Sequence, residues 1–216
     1  MRIAIVGGTG KEGRGLVVRW ARKGHDIIIG SRAIERAIES ATDAGDVSPG
    51  SVIGEQFVDA AAHGEIVVLA VPYSVHGDVL RAIKPGLAGK VLIDITVPVK
   101  PPKVSQVNLP DGQAAALEAQ AILGPETPVA ATLHHISSVH LGDLEHPVDC
   151  DALYCSDDPK AKDIVASLLR DLGLRPVDAG PLRNAIALES LTPVLLYINR
   201  TNKIPGAGIR ITGLPS

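Results

Sequence analysis

RIAIVGGTGKEG, residues 2–13, joins a β-branched run to the start of a helix through glycines spaced G-x-G-x-x-G at Gly8, Gly10 and Gly13. The spacing alone is common, and its position gives it weight. It follows a strand-like stretch, Arg2–Gly7, and opens Lys11–Lys23, where Leu16, Val17, Trp20 and Ala21 fall on one helical side. In that setting the glycines let the backbone turn tightly and approach a pyrophosphate, whose charge faces the helix N-terminus. The stretch reads as a dinucleotide loop, with Gly8, Thr9, Gly10, Lys11 and Glu12 as cofactor-binding positions.

Outward from this unit the same alternation repeats. HDIIIG (25–30), EIVVLAV (65–71) and KVLIDI (90–95) are continuous apolar runs, with helical segments at about 33–44 and 56–63 and a short run near 51–53. Unbroken apolar runs suit strands covered on both faces by crossover helices. Repeated β-α-β order then predicts an α/β, Rossmann-type doubly wound, mostly parallel sheet. TVPVKPPK (96–103) carries three prolines and reads as loop. Beyond it, helices at 113–123 and 159–172 and strands at 128–132, near Leu153 and at 175–178 add extra strands to the sheet. Leu133–Pro147, with four histidines, reads as loop. Pro181–Lys203 reads as a small C-terminal helical segment, broken into two helices with Thr192 as cap and Pro193 at the first turn. The expected division is 1–178, a nucleotide-binding domain, and 179–216, the helical segment.

Composition narrows the function classes. Apolar residues make up 45% of the 216, yet five are aromatic, too few for base-stacking platforms. A net charge of −3 supplies no field for nucleic acid or an acidic membrane, so neither is an expected partner. No basic-then-apolar leader opens the chain and no apolar run approaches the roughly 20 residues a bilayer requires, which predicts a soluble, cytoplasmic protein. Cys150 and Cys155 make no disulfide framework and a poor zinc set, and the histidines at 134, 135 and 140 lack partners for a metal site. No metal is expected.

The second strand selects the dinucleotide. An Asp or Glu at its end would bond the ribose hydroxyls of NAD. Here the strand ends Gly30-Ser31-Arg32. Arg32 can grip a 2′-phosphate with a charge-assisted bond and Ser31 can donate another, so the reading is NADP(H).

GGTGKEGRGL (7–16), IIIGSR (27–32), VLAVPY (68–73), DAGPLRNA (178–185) and ESLTP (189–193) together resemble the NADP oxidoreductases that use coenzyme F-420, a 5-deazaflavin. The resemblance runs almost end to end. It implies a small homodimer that transfers hydride directly between C4 of the nicotinamide and C5 of the deazaflavin. It also implies that Gly8, Thr9, Gly10, Ser31 and Arg32 hold NADP, and that Val71 and Pro72 line its pyrophosphate side. Thr96, Val97 and Pro98 would border the nicotinamide. His134, Ile136 and Ala207 fall on the deazaflavin side, with His134 as the catalytic residue that bonds the ring. His135 is bulkier, and Ala207 smaller, than the resemblance implies. Arg200, Lys203 and Arg210 give the C-terminal end a basic character suited to the coenzyme's acidic tail. The all-round apolar Val194–Ile198 points to burial, in the subunit or against a second copy. Two other readings stand beside this one. The first is an NADPH-dependent imine or carbonyl reductase using Tyr73, His76 or His134 as proton donor. The second is a non-catalytic NADPH sensor.

Overall fold

The apolar runs lie side by side in a computed structural model that describes residues 1–45 and 49–214. Strands β1 (Arg2–Val6), β2 (Asp26–Ser31), β3 (Val52–Gln56), β4 (Ile66–Leu69), β5 (Val91–Asp94), β6 (Val129–Thr132), β7 (Asp151–Ser156) and β8 (Arg175–Asp178) form one sheet, ordered 3-2-1-4-5-6-7-8. The β6–β7 pair is antiparallel and the other pairs are parallel. β1 pairs Ile3 with Ile27 on one side and Ile66 on the other, so both its neighbours contribute β-branched side chains.

The helices are α1 (Lys11–Arg22), α2 (Ile34–Gly45), α3 (Phe57–His63), α4 (Tyr73–Ile83), α5 (Ala115–Leu123), α6 (Ser138–Gly142), α7 (Pro159–Asp171) and α8 (Ala185–Asn202). Leu16 and Trp20 of α1 and Val165 and Leu169 of α7 share a core with one sheet face. Ala60 of α3, Leu80 and Ile83 of α4 and Leu188 of α8 share a core on the other. The indole N–H of Trp20 donates to the Leu168 carbonyl at 3.0 Å, tying α1 to α7. From β1 the chain winds through β2 and β3 to one edge, then returns through β4 to the other. The C-terminal ends of β1 and β4 therefore flank a crevice, the place where open α/β sheets bind ligands.

Three elements differ from the sequence reading. α4 had no counterpart there, although its buried His76, Val79, Leu80 and Ile83 follow an i, i+3, i+4, i+7 pattern. Its polar start at His76 and its internal Gly77 mask that apolar stripe. The segment read as loop carries the short α6, capped by the Ser137 hydroxyl accepting from the Val139 N–H. Arg19 of α1 fixes α6 from outside, donating to the carbonyls of Leu141 at 2.8 Å, His140 at 2.9 Å and Asp143. α8 is one helix with Pro193 inside it, not two. Thr192 is no cap, because its hydroxyl donates to the His134 carbonyl at 2.5 Å. Leu188, Glu189, Pro193 and Leu195 bury both halves of α8 against the body, which offsets the hydrogen bond lost at proline.

Candidate active site

The crevice holds two cavities on either side of the α1 N-terminus. The first, about 660 Å3, is lined by Gly7, Thr9 and Gly10 of the loop after β1, by Ser31, Arg32 and Arg36, and by Val71 and Pro72 after β4. Two close approaches shape it. Gly7 has φ +90°, and a Cβ there would lie 2.3 Å from the Ala70 carbonyl oxygen. A Cβ on Gly13 would lie 2.6 Å from Gly8 Cα, so the helix and the preceding turn touch backbone to backbone. The first-turn N–H groups of α1, with no side-chain cap at Gly10, are left facing the crevice. Arg32 is exposed, one helical turn from Arg36, and among the described residues neither makes an ion pair. Two free guanidinium groups and an adjacent hydroxyl fit a phosphate monoester, as a 2′-phosphate requires.

The second cavity, about 190 Å3, lies among Glu12, Ile95, Val97, the segment 133–138, Thr192, Leu195, Leu196, Asn199 and Ala207. Its wall is evenly divided between aliphatic residues and polar ones, a mixture that can pack a flat ring and bond the polar atoms at its edge. His134 is 5% exposed, and neither of its ring nitrogens has a hydrogen-bond partner. The Asp94 backbone lies near enough to act on the ring electrostatically but completes no hydrogen bond to it. An orphaned imidazole in a cavity wall is a feature that a polar ring atom could satisfy. His135 turns its Nε2 to the Asp151 carbonyl at 2.9 Å, so its bulk is largely taken up by β7, while its Nδ1 stays unpartnered. Ala207 is held at the cavity by its N–H donating to Asn199 Oδ1 at 2.6 Å. The tail continues along β7, where the Asp151 N–H donates to the Ile209 carbonyl and the Ile211 N–H to the Asp151 carboxylate.

Beneath the cavities sit buried acids. Asp94, at the end of β5, accepts the Thr96 N–H at 2.9 Å on one oxygen and pairs with His76 Nε2 at 2.7 Å on the other, with both side chains at most 1% exposed. That carboxylate fixes the main chain entering Thr96–Pro98. Glu189 accepts the N–H groups of Ala115 and Ala116 at 2.7 and 3.0 Å, supplying the cap that Ala114 cannot. Burial pushes its carboxyl up to about 8, against the pull of those two hydrogen bonds.

Burial pushes the His134 imidazole down to about 4, opposed in part by the Asp94 carboxylate. The unfolded chain takes up this proton near the ordinary value of 6.5 while the folded protein refuses it until about 4. The unfolded state therefore holds more protons in that window, and stability is lost as pH falls from 6.5 towards 4. Urea unfolding at pH 7.5 and 4.5 is expected to show roughly 2–3 kcal/mol of loss attributable to His134, absent in His134→Gln. An equal loss in both proteins would refute it.

The expected site residues divide between the cavities. Thr9, Gly10, Ser31, Arg32, Val71 and Pro72 line the first; Glu12, Val97, His134, Ile136 and Ala207 line the second. Gly8 is buried behind the loop, Lys11 is exposed, and Pro98 is buried; none of these lines either cavity. Thr96 is 3% exposed and serves through its backbone bond to Asp94. Arg210 pairs with Asp149 and Arg200 lies over the Tyr197 ring, so the basic C-terminal end is partly engaged internally. Of the other proposed proton donors, Tyr73 donates to Glu118 at 2.9 Å and His76 is paired with Asp94, and neither lines the second cavity. Arg36, Thr192 and Asn199 were missed. Arg36 was readable as a second cation four residues after Arg32, whereas Thr192 and Asn199 carry no local signal. Cys150 and Cys155 are buried free thiols, pushed up to about 11 and 12, which leaves them unreactive.

Residues 2–98 match the family model described as "NADP oxidoreductase coenzyme F420-dependent". A protein of Methanothermobacter marburgensis named "F420-dependent NADP reductase" is 40% identical over the whole of both chains. One of the same name from Methanocaldococcus jannaschii is 38% identical over 99% of each. Among solved structures, a putative F420-dependent NADP reductase from Arthrobacter sp. FB24 superposes with a TM-score of 0.83 at 27% identity, covering 97% of this chain and 98% of that one.

Proposed function

The chain belongs to the coenzyme F-420-dependent NADP oxidoreductases and works between NADP(H) and that deazaflavin, and on this premise we propose how its residues carry the reaction. The bound cofactors supply the redox chemistry, a hydride passing directly between C4 of the nicotinamide and C5 of the deazaflavin. The protein's part is to hold, orient and dry the two rings.

Ser31 and Arg32, with Arg36 behind them, take the 2′-phosphate. Thr9, Gly10 and the first-turn amides of α1, with Lys11 at its rim and Gly8 shaping the turn, take the pyrophosphate. Val71 and Pro72 floor the adjoining path. Val97 borders the nicotinamide, carried on a main chain that Asp94 anchors at Thr96 and that Pro98 stiffens from behind. His134 meets a polar atom of the deazaflavin, and Ile136 and Ala207 pack on its ring. The observation that carries this reading is the pair of cavities separated by one helix N-terminus, one bearing free guanidinium groups and the other an orphaned buried imidazole. Residues 179–216 are the segment that completes the second site, through Thr192, Leu195, Asn199 and Ala207.

The working form is a homodimer on this reading. Val194, Leu196 and Tyr197 of α8 are exposed apolar groups, as are Val139 of α6 and Ile204 beyond α8, and a second copy of the chain would cover them. Both substrates are small molecules, and neither nucleic acid nor membrane enters the reading. No helix among the described residues is long and apolar enough to cross a membrane. Two free cysteines are compatible with the reducing cytoplasm as its setting.

The test is stopped-flow absorbance of the protein with NADPH and oxidised coenzyme F-420. Loss of the deazaflavin absorbance that requires both NADPH and protein is the expected result. NADPH binding with a deazaflavin neither bound nor reduced would overturn the proposal, with His135 and Ala207 as the place to look for the cause.

A further inference from the structure

Glu12 belongs to both halves of the crevice. Its backbone is the second residue of α1, in the phosphate turn, while its side chain lines the ring cavity alongside His134. Among the described residues its carboxyl makes no hydrogen bond or ion pair, and burial alone pushes it up to about 7. The groups around it supply no compensating cation. From the segment 133–138 it faces His134 and His135, both held towards the neutral form by burial. From α8 come Thr192 and Asn199, and from the end of β5 come Ile95 and Val97, none of them ionisable. Its own helix carries Lys11 and Arg14, both exposed to solvent.

A neutral carboxyl is one O–H donor beside one carbonyl acceptor. That pair is complementary to an amide edge, a carbonyl next to an N–H, which it meets with two parallel hydrogen bonds. An ionised carboxylate offers acceptors on both oxygens and would face the ligand's carbonyl like to like. The carboxamide of a nicotinamide and the pyrimidinedione of a deazaflavin both present such an edge. We infer that Glu12, an unpartnered carboxyl in the wall of this cavity, is the residue that reads the amide edge of the ring bound there. The inference rests on the assignment of that cavity as the ring site, and it makes Glu12 a specificity-determining residue beyond its backbone contact with phosphate. It involves no bond-breaking step; the proton stays on Glu12.

Equilibrium binding by isothermal titration calorimetry tests this on the whole protein and on Glu12→Gln and Glu12→Leu, at pH 6 and pH 8.5. The probes are NADP+, 2′-phosphoadenosine diphosphoribose, which lacks the nicotinamide, and oxidised coenzyme F-420. Glutamine keeps one donor and one acceptor and cannot ionise. For the parent relative to Glu12→Gln, affinity for the recognised ring is expected to fall up to about thirtyfold between the two pH values, the ratio of neutral fractions for a group titrating at about 7. Glu12→Leu is expected to lose about tenfold at pH 6. If the extra pH dependence appears with NADP+ and not with the nicotinamide-free analogue, the carboxamide is the partner; if it appears only with the deazaflavin, the pyrimidine edge is. A pH response equal in parent and Glu12→Gln, or full affinity of Glu12→Leu for both ring ligands at pH 6, overturns the inference while leaving the cavity assignment standing. Failure of the parent to bind the deazaflavin overturns the cavity assignment and the inference together.

Discussion

Replacing Arg32 by alanine is expected to raise the KM for NADPH about thirty- to a hundredfold while moving that for NADH by less than about threefold. The two cofactors differ only in the 2′-phosphate, so a contact confined to that group separates them. Arg32 stands free in the larger cavity with Ser31 at its base and no acid at the end of β2 to repel the phosphate. Charge-assisted bonds from guanidinium to phosphate are among the stronger polar contacts, and Arg32 is exposed, so its loss should not disturb the fold. Arg36, four residues on in the first turn of α2, lines the same cavity and is positioned to take over part of the load. Arg32→Ala/Arg36→Ala is therefore expected to lose more discrimination than either single change. Steady-state kinetics with both cofactors decides the matter: parallel rises for NADPH and NADH would remove the 2′-phosphate from this end of the cleft.

Replacing His76 by leucine is expected to destabilise the protein by about 3–5 kcal/mol, because it strands the Asp94 carboxylate in a nearly dry core with one remaining N–H donor. For a chain of this length that corresponds to a fall in Tm of roughly 10 °C. The pair itself need not be a large net source of stability. Replacing both members by leucine is expected to recover more than half of the loss, since no polar group is then left buried without its partner. The double variant also loses the carboxylate that anchors Thr96. It is therefore expected to raise the KM for NADPH even where Tm has recovered. Thermal unfolding of the single and double variants would discard the account if the double were no better than His76→Leu.

The nucleotide half was legible because its determinants are local. Three glycines, a β-branched strand before them and an apolar helical stripe after them lie within twenty-odd residues, and Ser31-Arg32 closes the next strand. The ring cavity was legible only through resemblance. Its walls come from α1, the end of β5, the segment after β6, α8 and the tail, brought together by tertiary contacts that no window of sequence records. Thr192 shows the difficulty most sharply. Followed by proline it has every local mark of a helix cap, yet its hydroxyl serves the His134 carbonyl, 58 residues away in sequence. Pro193 misled for the same reason: burial of α8 on both sides of it outweighs a local preference for breaking the helix. The helix α4 is hard to read for a different cause, since its apolar stripe begins on a histidine that is buried only because it pairs with Asp94.

The grip of Arg19 bears on the order in which the molecule assembles. From the first helix, its guanidinium gathers carbonyls 121 to 124 residues further along the chain, with a longer reach of 3.4 Å to the Leu172 carbonyl, 153 residues away. Contacts of such separation reward the chain only after a long loop has closed. On a ribosome, the β1–α1–β2 unit can settle early, whereas the segment bearing His134 cannot lock until most of the polypeptide has emerged. The nucleotide cleft thus has its pieces at hand well before the ring pocket does, and the two halves of one active site mature at different moments in the life of the chain.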